Sequence, residues 1–292
     1  MTFLNWIING LRIGSIYALI ALGYNMVYGI IRLINFAHGD IIMVGAYTSW
    51  VVLTMLGMPF WISAVAAVLI CVIVGVTIEK LAYKPLRGAP RISLLITALG
   101  VSIFLQNLFL VIPAFGSAPK AITTKFDIPP ISIGTLSIDF LTIITVLISI
   151  ITMVVLVLLV QKTKMGKAMR AVSEDMGAAK LMGINVNSTV TFTFALGSGL
   201  AGIASIFYSL YTRQITPMMG SMPGLKAFIA AVLGGIGSIP GAMIGGFILG
   251  LAESIARGVN SDWADAVVFV ILILVLLFKP AGLLGKNVSE KV

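Results

Sequence analysis

Long apolar runs without charge alternate along the chain with short polar breaks, at a spacing that predicts membrane-spanning helices. The clearest run is Phe140–Val160, 21 residues with no charged side chain. As a helix rising about 1.5 Å per residue it would reach about 31 Å, the hydrocarbon thickness of a bilayer. Further apolar runs lie at about Ile7–Ile31, interrupted by Arg12 and Asn25, and at Ile41–Gly57, Phe60–Ile78, Ile92–Ile112, Val190–Tyr211 and Trp263–Phe278. Leu225–Leu233 is too short to cross alone, GGIGSIPG (Gly234–Gly241) breaks it, and Ala242–Ile255 resumes a helix. The pattern predicts an all-α polytopic transmembrane helical bundle of about eight spans, with a broken or re-entrant Gly-rich segment, in a single transmembrane domain over residues 1–292.

Composition agrees. The chain is 59% hydrophobic and 10% charged, where a soluble domain carries about a quarter charged residues. Its mean hydropathy is +1.12. The net charge of +9 does not indicate nucleic-acid binding, because Lys and Arg collect in the cytoplasmic loops of membrane proteins. Twelve of the 19 basic residues fall in Glu79–Arg91, Lys162–Lys180 and the tail, which includes Lys279, Lys286 and Lys291. Those regions are expected in the cytoplasm. Pro113–Asp139, with only Lys120 and Lys125, is expected outside, as is the N-terminus. Cys71 is the single cysteine, so no intrachain disulfide can form. The N-terminal apolar stretch lacks a basic lead-in and a clear small-residue cleavage site, and reads as a retained span.

The densest charge is Lys162–Asn185, KTKMGKAMRAVSEDMGAAKLMGIN, with five basic residues against Glu174 and Asp175. Met165, Met169, Val172 and Met176 recur at helical spacing, with Lys167, Arg170 and Glu174 on other faces. An amphipathic helix between two spans suits a cytoplasmic surface that grips a soluble partner.

Within the apolar runs, two groups of residues stand out. Gly237, Gly241 and Gly245 are spaced by four, as are Gly246 and Gly250. That spacing lets helices approach closely in lipid; the alternative is a broken helix lining a pathway. The second group is polar: Arg12, Asn25, Arg32, Asn35, His38, Asp40, Gln106, Asn107, Glu253 and Arg257. Such residues in spans are functional candidates. Asn25, Asn35, His38, Gln106 and Asn107 are the candidate pathway residues. Glu253 and Arg257 are placed to pair on one helix face, and Asp40 is a plausible N-cap for the second span.

Enzymatic chemistry finds little support. A single histidine, His38, makes a metal centre unpromising, and no Gly-x-Ser-x-Gly elbow or Gly-Lys-Ser/Thr phosphate loop occurs. No cofactor is expected. Most acidic residues lie near span ends or in loops, which disfavours ion coupling at the midplane.

Four blocks resemble the LivH-type permeases of branched-chain amino-acid ABC importers: YALIALGYNMVYGIIRLINFAHGD (Tyr17–Asp40), SIFLQN (Ser102–Asn107), MGKAMRAVSEDMGAAKLMGIN in the charged island, and GLKAFIAAVLGGIGSIPGAMIGGFILGLAE (Gly224–Glu253). The resemblance runs over most of the length. It implies a subunit of the bacterial inner membrane working with a homologous second permease, two cytoplasmic ATPase subunits and a periplasmic substrate-binding protein. It also implies that residues 162–185 are a coupling loop. Importers of this kind share a Glu-Ala-Ala-x-x-x-Gly core there. Ala178, Ala179 and Gly183 match it; Gly177 stands at the glutamate position, with Glu174 a turn earlier, and no Leu-Pro follows Ile184. Met165, Met169, Val172 and Met176 would then enter a groove on the ATPase, with Arg170 and the lysines meeting an acidic rim. Two alternatives stay open: the same class of importer carrying urea, amides or other neutral amino acids, and an ion-coupled carrier using Glu79 or Asp40. A membrane enzyme using His38 is the weakest.

Overall fold

The computed structural model describes residues 3–31, 35–122, 131–133 and 136–285; Arg32, Lys125, Lys286 and Lys291 lie outside these. Uncharged runs become helices because only an intramolecular ladder satisfies backbone polar groups in hydrocarbon. In chain order the elements are α1 (Phe3–Ile31), α2 (His38–Trp50), α3 (Phe60–Ile78), α4 (Arg91–Val111), β1 (Lys120–Ala121), β2 (Ile131–Ile133), β3 (Leu136–Ile138), α5 (Phe140–Lys162), α6 (Lys164–Glu174), α7 (Met176–Leu181), α8 (Val186–Thr212), β4 (Gln214–Ile215), α9 (Ser221–Gly234), α10 (Ile239–Val259) and α11 (Trp263–Phe278).

Among the described residues, six helical stretches are long and apolar enough to cross a membrane: Phe3–Ile31, Phe60–Leu86, Ile92–Val111, Phe140–Lys162, Val186–Thr212 and Ile239–Val259. α9 and α11 are shorter apolar helices. The architecture is therefore an all-α polytopic membrane bundle. α2 runs on into a π-helical turn, Val51–Met55, and α3 into a π-helical turn, Glu79–Tyr83, followed by a 3-10 turn, Lys84–Leu86. Pro85 sits at the start of that 3-10 turn, where its missing N–H is tolerated.

The chain divides into two compact units, with boundaries inside α1, α5 and α9. In the first unit, α10 is packed through glycine on two faces. A Cβ on Gly246 would lie 2.6 Å from Ala18 Cα, and one on Gly14 would lie 2.9 Å from Phe247 Cα, so α1 and α10 touch along their backbones. Gly241 and Gly245 bring α10 equally close to Gly234 and Ala230 of α9. Gly237 differs: a Cβ there would meet nothing within 4 Å, and its φ of +90° serves the turn between α9 and α10. After α11 the chain returns to that turn, with Leu283 N–H donating to Leu233 C=O (2.8 Å) and Leu284 N–H to Gly234 C=O (2.9 Å).

In the second unit α2, α3 and α8 form the core. Small residues again permit close approach: a Cβ on Gly202 would lie 2.8 Å from Val68 Cα. Cys71 is buried there and its Sγ donates to Ile41 C=O at 3.3 Å. β1 pairs antiparallel with β4, Lys120 opposite Ile215 and Ala121 opposite Gln214. That pairing ties the connection after α4 to the end of α8.

Candidate functional site

The charged island folds as two short helices. Thr163 caps α6 by accepting from Gly166 N–H (3.0 Å). Asp175 caps α7 by accepting from Gly177 N–H (2.7 Å) and Ala178 N–H (2.9 Å). Such caps satisfy otherwise orphaned amides, and Gly183 closes α7 with φ +79°.

The burial pattern in this loop corrects the expected partner face. Met169 and Val172 are 4% and 1% exposed, on a helix that packs against α7 and α8. They belong to this chain's own core and are not offered to a groove elsewhere. Met165 is half-buried, and Ala179 is buried. The exposed apolar side chains are instead Leu181 (90%) and Met182 (82%) at the end of α7, with Met176 partly exposed at its start. Lys167, Arg170, Glu174, Ala178, Lys180 and Gly183 are exposed as well. The loop thus presents a small apolar tip within a mostly basic surface. The amphipathic period showed that a stripe existed, but Leu181 and Met182 lie outside it and were missed. Their adjacency to Gly183 was the available signal.

α8, which follows the loop, is tied to the end of α3. Glu79 is fully buried; its carboxylate pairs with Arg87 and accepts from Thr191 Oγ1 (2.7 Å). Arg87 also donates to Asn187 Oδ1 in the first turn of α8 (2.5 Å). Asn185 caps α8 by accepting from Ser188 N–H (3.0 Å). One buried carboxylate therefore fastens the helix leaving the loop to the Glu79–Arg91 connection.

Of the expected pathway residues, Asn25 belongs to the first unit and Asn35, His38, Gln106 and Asn107 to the second. Asn25 is buried and its Oδ1 accepts from Gly237 N–H, holding the turn between α9 and α10. Asn35 is buried and accepts from Tyr83 Oη (3.0 Å). His38, also buried, begins α2. Asp40 is not the N-cap of this helix. Ala37 holds that position and Asp40 lies in the first helical turn, because the helix starts earlier than its apolar run. Its Oδ1 accepts from Gln106 Nε2 at 2.8 Å. Asn107 is exposed and its Nδ2 donates to Ile103 C=O in its own helix (2.8 Å). Gln106 and Asp40 are thus brought together, while Asn25, Asn35 and Asn107 satisfy local needs.

In the first unit the predicted Glu253–Arg257 pair forms (2.7 Å), within a larger network. Glu253 also meets Lys226 Nζ (2.9 Å) and Tyr17 Oη (2.8 Å), and Lys226 Nζ meets Asp265 Oδ1 (2.6 Å). Of these charges only Lys226 and Glu253 are buried; Arg257 and Asp265, about half exposed, balance them at the edge of the network. Lys226 and Asp265 were missed in the sequence: Lys226 is a lone charge in an apolar run, and Asp265 lies in the first turn of α11, three residues after Asp262.

Apolar helices packed through small residues, buried polar pairs and a compact basic loop between two membrane helices define a multi-pass membrane protein. The chain belongs to the family described as branched-chain amino acid transport system / permease component, whose model matches residues 6–276. It is 43% identical over 303 aligned positions to the high-affinity branched-chain amino acid transport system permease protein BraD of Pseudomonas aeruginosa, covering 99% of this chain and 98% of that protein. It is 41% identical to the permease protein LivH of the corresponding Escherichia coli K12 system, with the same coverage. A probable LivH permease of Methanocaldococcus jannaschii is 30% identical, covering 93% of this chain and 89% of that protein. This chain is a permease subunit of the ABC type, embedded in the membrane and not itself an enzyme.

Proposed function

We propose that this chain is the membrane-spanning subunit of an ATP-driven importer of branched-chain amino acids in the bacterial inner membrane. As one permease domain it works with a homologous second permease, two cytoplasmic ATPases and a periplasmic binding protein, and residues 162–185 form its coupling loop. The observation that carries the coupling role is the exposed Leu181–Met182 tip on a capped, internally packed loop. Two large apolar side chains held in water by a rigid mount favour insertion into a partner's groove. Lys167, Arg170 and Lys180 around them favour an acidic rim. The chain carries no phosphate-binding loop of its own, so a partner must hydrolyse the ATP.

Topology follows from the positive-inside rule together with the two ties between segments. Placing the basic loop and the tail in the cytoplasm requires an even number of crossings between them. β1–β4 pairing supports an outer end for α8, and the Leu233–Leu283 and Gly234–Leu284 bonds support a cytoplasmic turn between α9 and α10. α8, α9, α10 and α11 then cross in turn, and five crossings precede the loop. Nine passes result, one more than the eight expected, because eight passes with an outer N-terminus would leave the tail outside.

The test is uptake by proteoliposomes holding the complete complex, with leucine, isoleucine, valine and urea each offered with the binding protein. Uptake of the three branched-chain amino acids should require internal ATP. Uptake without ATP that an ionophore abolishes would replace this reading with a carrier, and selective uptake of urea would replace the substrate class.

A further inference from the structure

Among the described residues, three buried carboxylates lie in or beside the membrane helices, and one of them, Asp40, lacks a countercharge. Glu79 is met by Arg87, and Glu253 by Lys226 and Arg257. Asp40 is 2% exposed, and among the described residues no basic side chain lies within ion-pair distance of it. The amino end of α2 offsets part of the unfavourable burial, but an isolated buried carboxylate still favours a cation beside it.

The groups around it are polar and converge on one amide. Gln106 Nε2 lies 2.8 Å from Asp40 Oδ1, 3.2 Å from Ser221 Oγ and 3.3 Å from Ser102 Oγ. A carboxylate only accepts hydrogen bonds, so the amide nitrogen of Gln106 faces Asp40 and its carbonyl oxygen faces away. That oxygen takes no hydrogen bond among the described residues. Gln106 is half-buried and Ser221 exposed, so the cluster reaches the surface of its unit. The same two helices expose Leu99, Ile103, Met222 and Leu225. The result is an acceptor-rich face, backed by buried negative charge and flanked by aliphatic side chains.

We propose that Asp40, Gln106, Ser102 and Ser221 form the subsite that receives the α-ammonium of an aliphatic amino acid in transit. This rests on the permease reading above and adds to it a place where the substrate pauses. The ammonium supplies the missing countercharge by taking the place of the Gln106 amide nitrogen at Asp40; as that amide turns, its Oε1 and one of the two hydroxyls accept the two remaining protons, and the side chain lies against the aliphatic residues.

The probe is photo-leucine, a diazirine analogue, applied to the complete reconstituted complex and mapped by peptide sequencing. Labelling is expected in the segments 99–106 or 221–225. Isopentylamine, which keeps the ammonium, should block it; 4-methylpentanoate, which keeps only the carboxylate, should not. Asp40→Asn should weaken labelling by about tenfold or more, while Asp40→Glu restores most of it. If Asp40→Asn fails to assemble, Gln106→Met serves in its place, with the same loss expected. Labelling elsewhere only, equal competition by 4-methylpentanoate, or full labelling of an assembled Asp40→Asn complex would overturn the proposal. Failure of the importer reading is seen separately, as leucine uptake by the wild-type complex that needs no ATP.

Discussion

Arg87→Ala leaves the Glu79 carboxylate fully buried with Thr191 as its remaining side-chain donor. Removing one partner of a buried ion pair costs about 3–5 kcal/mol, because the other charge is stranded. Arg87 is itself 18% exposed, which places the expected loss near the lower end, about 3 kcal/mol. Glu79→Gln should cost less, about 1–2 kcal/mol, since the amide still meets Thr191 and the guanidinium keeps Asn187 and solvent. In the double variant no charge is stranded, so stability should recover by about 1–2 kcal/mol relative to Arg87→Ala alone. Reversible unfolding of the purified chain in mixed micelles, followed by tryptophan fluorescence as SDS is added, gives the four midpoints of this cycle. A double variant less stable than Arg87→Ala would refute the reasoning, and so would an Arg87→Ala chain as stable as wild type.

Other consequences follow from the packing. Gly14→Val places its Cβ 2.9 Å from Phe247 Cα, and should destabilise α1–α10 packing by about 1–3 kcal/mol; the same micelle titration reads it. Tyr17→Phe removes a hydroxyl donor to the buried Glu253 carboxylate and should cost about 1.5–3 kcal/mol, whereas a shift under about 0.5 kcal/mol would mean that Lys226 and Arg257 satisfy Glu253 without it.

Much of the bundle was legible because a helix in hydrocarbon needs a long uncharged run, and such runs are hard to imitate. α3 and α11 match their sequence-derived limits, and α5 extends only from Val160 to Lys162. Limits failed where tertiary contacts set them. α2 starts at His38, before its apolar run, so Asp40 became a residue of the first turn and not a cap. The methionine stripe of α6 was visible, but periodicity reports that a face is apolar and not what covers it. This chain covers Met169 and Val172 itself and leaves Leu181 and Met182 in water. Lys226 went unread for a similar reason, since its charge is balanced by Glu253 and Asp265, far away in sequence. The glycine spacing was informative for four of five positions. Gly241, Gly245, Gly246 and Gly250 sit at helix contacts, while Gly237 is a turn glycine.

The most direct measurement for the coupling loop is co-purification of ATPase subunits with tagged chain from mild detergent, comparing wild type with Leu181→Asp/Met182→Asp. Burying two such side chains on docking is worth about 1.5–3 kcal/mol each, so the double variant should lose about 100-fold or more in affinity and emerge without ATPase. The variant should still fold and reach the membrane, because both side chains are exposed. ATPase subunits recovered in equal amount with wild type and double variant would contradict the account of residues 162–185 as a coupling loop that docks through its apolar tip.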